Sequence, residues 1–125
     1  MKKILLAEND PFLINVYAGQ LRKSGYSASI AIDGEIIINR IKDINPDLLV
    51  LDANLPGPGG IQDGLSVLKI LREDTNFKEL KVVLLSDFFQ KESSDHGNEL
   101  GVIRCFSKTE NTSEEIVAGI KTILS

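Results

Sequence analysis

Hydrophobic and polar positions along this chain follow two different periods. Three short runs, Ile4-Leu5-Leu6-Ala7, Leu48-Leu49-Val50-Leu51 and Val82-Val83-Leu84-Leu85, are apolar at every position. Side chains of a strand point alternately to its two faces, so such a run needs helices covering both. Tyr26-Ser27-Ala28-Ser29-Ile30 alternates instead, which suits an edge strand. Val102 to Phe106 is a fifth, weaker strand with Arg104 in its middle, and suits the other edge.

Between these runs the period lengthens to that of a helix. Asp10 before Pro11 predicts an N-cap followed by a proline at the first helical position. Leu13, Val16, Tyr17 and Leu21 then share a face, and Gly25 closes the helix in the left-handed conformation. Asp33 caps a second helix carrying Ile37, Ile41 and Ile44, and Leu65, Leu68 and Leu71 mark a third. A fourth, poorer in apolar residues, runs from about Gln90 to Leu100 and ends at Gly101. Thr112 and Glu115 form a capping box for the last helix, whose buried face holds Ile116, Ile120 and Leu124. The order is βα five times over. The expected fold is α/β, a flavodoxin-like doubly wound parallel sheet with strand order 2-1-3-4-5, formed by residues 1–125 as a single domain.

Composition narrows the function classes. A chain of 125 residues buries roughly two-thirds of its unfolded surface, enough for a proper core. With no Trp and 6% aromatic residues, that core has to be aliphatic. A net charge of −4 argues against nucleic acid as a direct partner. The single Cys105 excludes an internal disulfide, and no Cys/His cluster suggests zinc. The apolar run after Met1 stops at Glu8, too soon for a signal peptide, and no stretch approaches a membrane span. The chain reads as cytoplasmic, with no membrane partner.

Candidate chemistry gathers where the strands end. Strand one ends in Glu8-Asn9-Asp10, strand three in Asp52-Ala53-Asn54, strand four in Ser86-Asp87 and strand five in Ser107-Lys108. The carboxyl edge is where doubly wound sheets bind ligands. Oxygen donors there suit a hard cation such as Mg²⁺, a lysine and a serine hydroxyl suit phosphoryl oxygens, and an aspartate can accept a phosphoryl group.

In the runs Ile4 to Pro11, Leu49 to Gly57, Val83 to Ser86 and Phe106 to Lys108, the chain resembles a receiver domain of two-component response regulators over essentially its whole length. The resemblance implies a non-enzymatic signalling module in which Asp52 accepts a phosphoryl group from a histidine kinase or histidine phosphotransfer protein. It implies Lys108 and Ser86 as the lysine and hydroxyl that answer the phosphoryl group. Glu8, Asn9, Asp52 and the backbone carbonyl of Asn54 fall at the Mg²⁺ positions. The face of the fourth helix, fifth strand and fifth helix would then engage a downstream protein or form a homodimer. With the chain stopping at its fifth helix, output is expected through partner binding, unless the chain is a fragment of a longer protein.

Four departures from the family's pattern stand beside this. Asn9 puts a neutral amide where the direct metal ligand is usually a carboxylate, which predicts weakened Mg²⁺ binding; Asp10 is expected to be taken up by its helix cap. Cys105 takes the place of the usual aromatic switch, with Phe106 beside it and Phe88 or Phe89 as candidate substitutes. Thr109 replaces the common proline. The loop from Pro56 to Gly64 is about four residues longer than the usual turn and is a candidate lid. His96 carries no assigned catalytic role. These departures keep a rival open, a degenerate pseudo-receiver that binds partners without phosphorylation. A flavodoxin-like cofactor binder is disfavoured, because acids and Pro11 stand where a phosphate-cradling loop should be.

Overall fold

The computed structural model describes residues 1–55, 64–87, 95 and 97–125. Its elements in chain order are β1 (Lys3–Ala7), α1 (Pro11–Lys23), β2 (Ser27–Ala31), α2 (Gly34–Ile44), β3 (Leu48–Asp52), α3 (Gly64–Glu73), a 3-10 turn (Thr75–Phe77) and β4 (Lys81–Ser86). Residues 95 and 97–99 are helical and are the described part of α4. β5 (Arg104–Ser107) and α5 (Ser113–Leu124) follow. All pairings are parallel and the sheet order is β2-β1-β3-β4-β5, the flavodoxin-like arrangement expected.

Strand alternation divides the core in two. Leu5, Ala7, Leu49, Leu51, Val82 and Leu84 pack with Ile37, Ile41, Val67, Leu68 and Leu71 of α2 and α3. Ile4, Leu6, Leu48, Val50, Val83, Leu85 and Phe106 pack with Tyr17, Leu21, Ile116 and Ile120 of α1 and α5. The buried stripe of α3 runs Gly64, Val67, Leu68 and Leu71, so Leu65 lies off it and is half-buried.

Two strand starts differ from the sequence reading, for one reason. Gly25 (φ +97°) lets its own N–H bond Arg22 O and the Tyr26 N–H bond Leu21 O, a Schellman closure of α1. Tyr26 therefore belongs to the helix end, and β2 starts at Ser27. Gly101 (φ +79°) repeats the motif: its N–H bonds Asn98 O and that of Val102 bonds Gly97 O. Val102 is thereby drawn into closing α4, and β5 starts at Arg104.

Long-range ties set the loops. Arg72, on α3, donates from Nε to Leu100 O at 2.7 Å, from Nη1 to Phe77 O at 2.8 Å and Lys78 O at 3.1 Å, and from Nη2 to Gly101 O at 3.4 Å. It closes the edge of the sheet where β4 and β5 begin. On β5 the Arg104 guanidinium lies 4.4 Å from the centroid of the Phe106 ring. The same ring presses on α5 at Gly119, where an added Cβ would collide with Phe106 Cζ. The capping box of α5 forms as read: Glu115 N–H donates to Thr112 Oγ1 and Thr112 N–H to Glu115 Oε1.

Candidate functional site

Because the strands are parallel, β1, β3, β4 and β5 all end at one edge. Glu8 follows β1, and its N–H donates to Ala31 O at 3.2 Å. Asp52 is the last residue of β3. Lys108 follows β5, and its N–H donates to Ser86 O at 2.7 Å, one rung beyond the β4–β5 ladder. Backbone order thus delivers three charged side chains to one point without a long loop.

There the Lys108 ammonium donates to Asp52 Oδ2 at 2.9 Å and to Glu8 Oε1 and Oε2 at 3.2 and 3.4 Å. It also stands 3.5 Å from Asp87 Oδ1. The Glu8, Asp52 and Lys108 side chains are 0%, 3% and 9% exposed, whereas that of Asp87 is 55% exposed. Buried charges have to be paired, and here two buried carboxylates share one cation. Asp52 Oδ1 accepts from the Asn54 N–H at 2.9 Å, a turn closed on its own aspartate. Gly64 is required beside it: a Cβ there would collide with the carbonyl oxygen of Asp52.

Burial first, and then the neighbouring charges, shift the proton affinities of the site. Burial, then the hydrogen bond and charge of Asp52, push the Glu8 carboxyl up from 4.5 to about 7, against the pull of Lys108. Burial by itself would lower the Lys108 amine. The bonds and charges of Asp52 and Glu8 outweigh it and raise the amine above its ordinary value. Burial, then the charge of Glu8, also raise the Tyr17 phenol, so the field of the site reaches the core face of α1.

The structure brings Glu8, Asp52 and Lys108 into contact, and joins Asn54 to them through its N–H. Ser86 ends β4 half-buried, and its carbonyl is engaged by Lys108. Asn9 is exposed on the loop after Glu8. Asp10 caps α1, accepting from the N–H groups of Phe12 and Leu13 at 2.9 and 3.4 Å. Cys105 is half-buried against the α2–α3 side of the core. Phe88, Phe89, His96, the first part of the fourth helix and positions 56–63 of the long loop lie outside the described residues.

Sequence reasoning named Asp87 and Ser107 as strand-end residues without giving them a role. Asp87 Oδ2 accepts from the Asn54 amide at 3.2 Å. Its carbonyl accepts from Ser107 Oγ at 3.1 Å and from Thr109 Oγ1 at 2.6 Å. The available signal was the polar run Ser107-Lys108-Thr109-Glu110 directly after buried Phe106.

Residues 4–121 match the family model of the response regulator receiver domain. The chain belongs to this family. The receiver domain is 28% identical over 122 residues to the transcriptional regulatory protein BaeR of Escherichia coli O6:H1, a match covering 98% of this chain and 48% of that protein. It is 32% identical over 124 residues to the alkaline phosphatase synthesis transcriptional regulatory protein PhoP of Bacillus subtilis, again covering 98% and 48%. The chain spans about half the length of the curated relatives it matches. The chemotaxis protein CheY4 of Vibrio cholerae shares the fold, with a TM-score of 0.86, 20% identity and 98% of each chain covered.

Receiver domains are signalling modules that bind Mg²⁺ or Mn²⁺ at an acidic site, and response-regulator relatives accept phosphoryl groups from histidine kinases. The donor set in this receiver domain fits such an ion. Among the described residues no group of three or more His, Cys, Asp or Glu side chains is arranged for a metal. Glu8 and Asp52 supply two carboxylates, the number Mg²⁺ uses when it keeps several waters. Two buried carboxylates on one ammonium leave a unit of negative charge that such an ion would balance. Among the described residues no helix is long and apolar enough to cross a membrane.

Proposed function

We propose that this receiver domain is a phosphorylation-driven switch with Asp52 as its phosphoacceptor. The observation that carries the reading is the Lys108 ammonium 2.9 Å from the Asp52 carboxylate, both nearly out of water at the end of β3. A carboxylate oxygen of Asp52 attacks phosphorus as the P–N bond of a donor phosphohistidine breaks, and the electron pair leaves on the imidazole nitrogen. Glu8, Asp52, Asn9 and the Asn54 carbonyl would hold Mg²⁺, which would neutralise the charge developing at the phosphoryl oxygens. Lys108 exchanges part of its bonding to the carboxylates for those oxygens, and Ser86 offers its hydroxyl from the end of β4.

A histidine kinase or histidine phosphotransfer protein is the proposed donor. The added charge redistributes Lys108 and Ser86 and shifts the face made by α4, β5 and α5, which then binds a downstream protein or a second copy. Cys105 lies in that face in place of a large ring, so movement of the β4 and β5 ends has to carry the signal. The exposed Asn9 favours a second reading, constitutive partner binding without phosphorylation.

Intact mass after incubation with Mg²⁺ and acetyl phosphate separates the two. One phosphoryl adduct is expected on the native chain and none on Asp52→Asn. An adduct that appears only after Asn9→Asp repair hands the case to the second reading.

A further inference from the structure

Asp87, just after β4, reaches residues at the ends of both β3 and β5. Its carboxylate meets Lys108 at 3.5 Å on one oxygen and the Asn54 amide at 3.2 Å on the other. Its backbone carbonyl takes both the Ser107 and the Thr109 hydroxyls. An exposed acid beside an exposed lysine does little, because water screens the pair and both side chains lose freedom to meet. Here the acid is exposed, with its side chain 55% open to water, but the lysine is not. Lys108 is 9% exposed and already fixed by Asp52 and Glu8, and the two hydroxyls pin the Asp87 backbone. The charge of Asp87 therefore stays at the rim of the site in one place.

We infer that Asp87 is a positioning residue that restrains phosphoryl acceptance, by drawing Lys108 and Asn54 toward the rim and by opposing an incoming anion. The inference rests on the reading of Asp52 as phosphoacceptor and adds its regulation. Two effects act in the same direction. A phosphoryl donor carries negative charge past Asp87 on its way to Asp52. The ammonium that must meet the phosphoryl oxygens is shared with a third carboxylate that takes no part in the transfer. Thr109 gains a role in this arrangement: its hydroxyl, at 2.6 Å from the Asp87 carbonyl, sets where that carboxylate stands.

The test is the rate at which the acetyl phosphate adduct appears in Mg²⁺, for the native chain, Asp87→Asn, Asp87→Ala and Thr109→Val, each checked for an unchanged melting temperature. Asp87→Asn keeps an oxygen for Asn54 and removes only the charge. It is expected to react about three- to tenfold faster at low salt, the order expected from one unit charge a few ångströms away in partly screened surroundings. Asp87→Ala should gain at least as much, and Thr109→Val less. The gap between native and Asp87→Asn should shrink as salt is raised, which a purely structural role does not require. Native and variant rates within twofold of each other, or a gap indifferent to salt, overturn the inference and leave the receiver reading intact. No adduct on any of the four chains overturns both together.

Discussion

At one edge of the sheet Lys108 is held by the carboxylates of Asp52 and Glu8, with Asp87 beyond them. At the opposite edge Arg72 is held by the carbonyls of Phe77, Lys78, Leu100 and Gly101. Both are long cations that tie separate strand ends together, but their acceptors differ in kind. Carbonyl dipoles carry no net charge and do not titrate, so the Arg72 end has one arrangement over a wide range of conditions. Carboxylates in surplus over a single ammonium form a site that protons, cations or a new anion can rearrange. The fold thus keeps one edge fixed and leaves the other responsive.

The largest effect should come from removing the charged clasp. Lys108→Met leaves two buried carboxylates without their cation and is expected to cost about 3–5 kcal/mol in urea unfolding near neutral pH. Recovery of part of that loss in mild acid is expected, as Glu8 takes up a proton. Arg72→Met should cost less, about 2 kcal/mol, with the same deficit at every pH from 5 to 8, roughly what unpaired carbonyls near a surface cost. If both variants respond to pH alike, the contrast between the two edges is wrong.

The native chain offers a third test. Glu8 holds its proton up to about 7 in the folded state against an ordinary 4.5, so the stability that proton brings is complete below 4.5. It is lost as pH rises through 7, with a slope of at most about 1.4 kcal/mol per pH unit. Without added Mg²⁺, Glu8→Gln should flatten that window. Because Asp52 is part of what raises Glu8, Asp52→Asn should move the Glu8 titration toward acid, as carboxyl NMR would read. The smallest change lies outside both edges: Thr112→Ala removes the α5 cap and should cost about 1 kcal/mol without pH dependence in this range.

Much of this was legible in the chain because buried strands and helix caps speak in local patterns. The three wholly apolar runs became β1, β3 and β4, and Asp10, Asp33 and Thr112 cap the helices they precede. Tyr26 and Val102 misled because an apolar residue after a glycine reads forward as a strand, while its N–H reaches back to close the preceding helix. In the site, Glu8, Asp52 and Lys108 stood out as charges set against apolar runs. The roles of Asp87 and Arg72 were not legible, because each reaches groups that only the folded chain brings near. Asn54 was read for its carbonyl, and the bond of its N–H to Asp52 was not foreseen.

The ring of Phe106 lies under Arg104 and against the bare Cα of Gly119. Helix propensity alone favours alanine at a mid-helix position such as 119, by about 1 kcal/mol. Phe106 closes that route, since the added methyl would occupy the space of Cζ. Positions 106 and 119 therefore form one unit of inheritance. A lineage can shrink the ring first and then admit a side chain on α5, but not in the reverse order, and the two sites should drift as a pair.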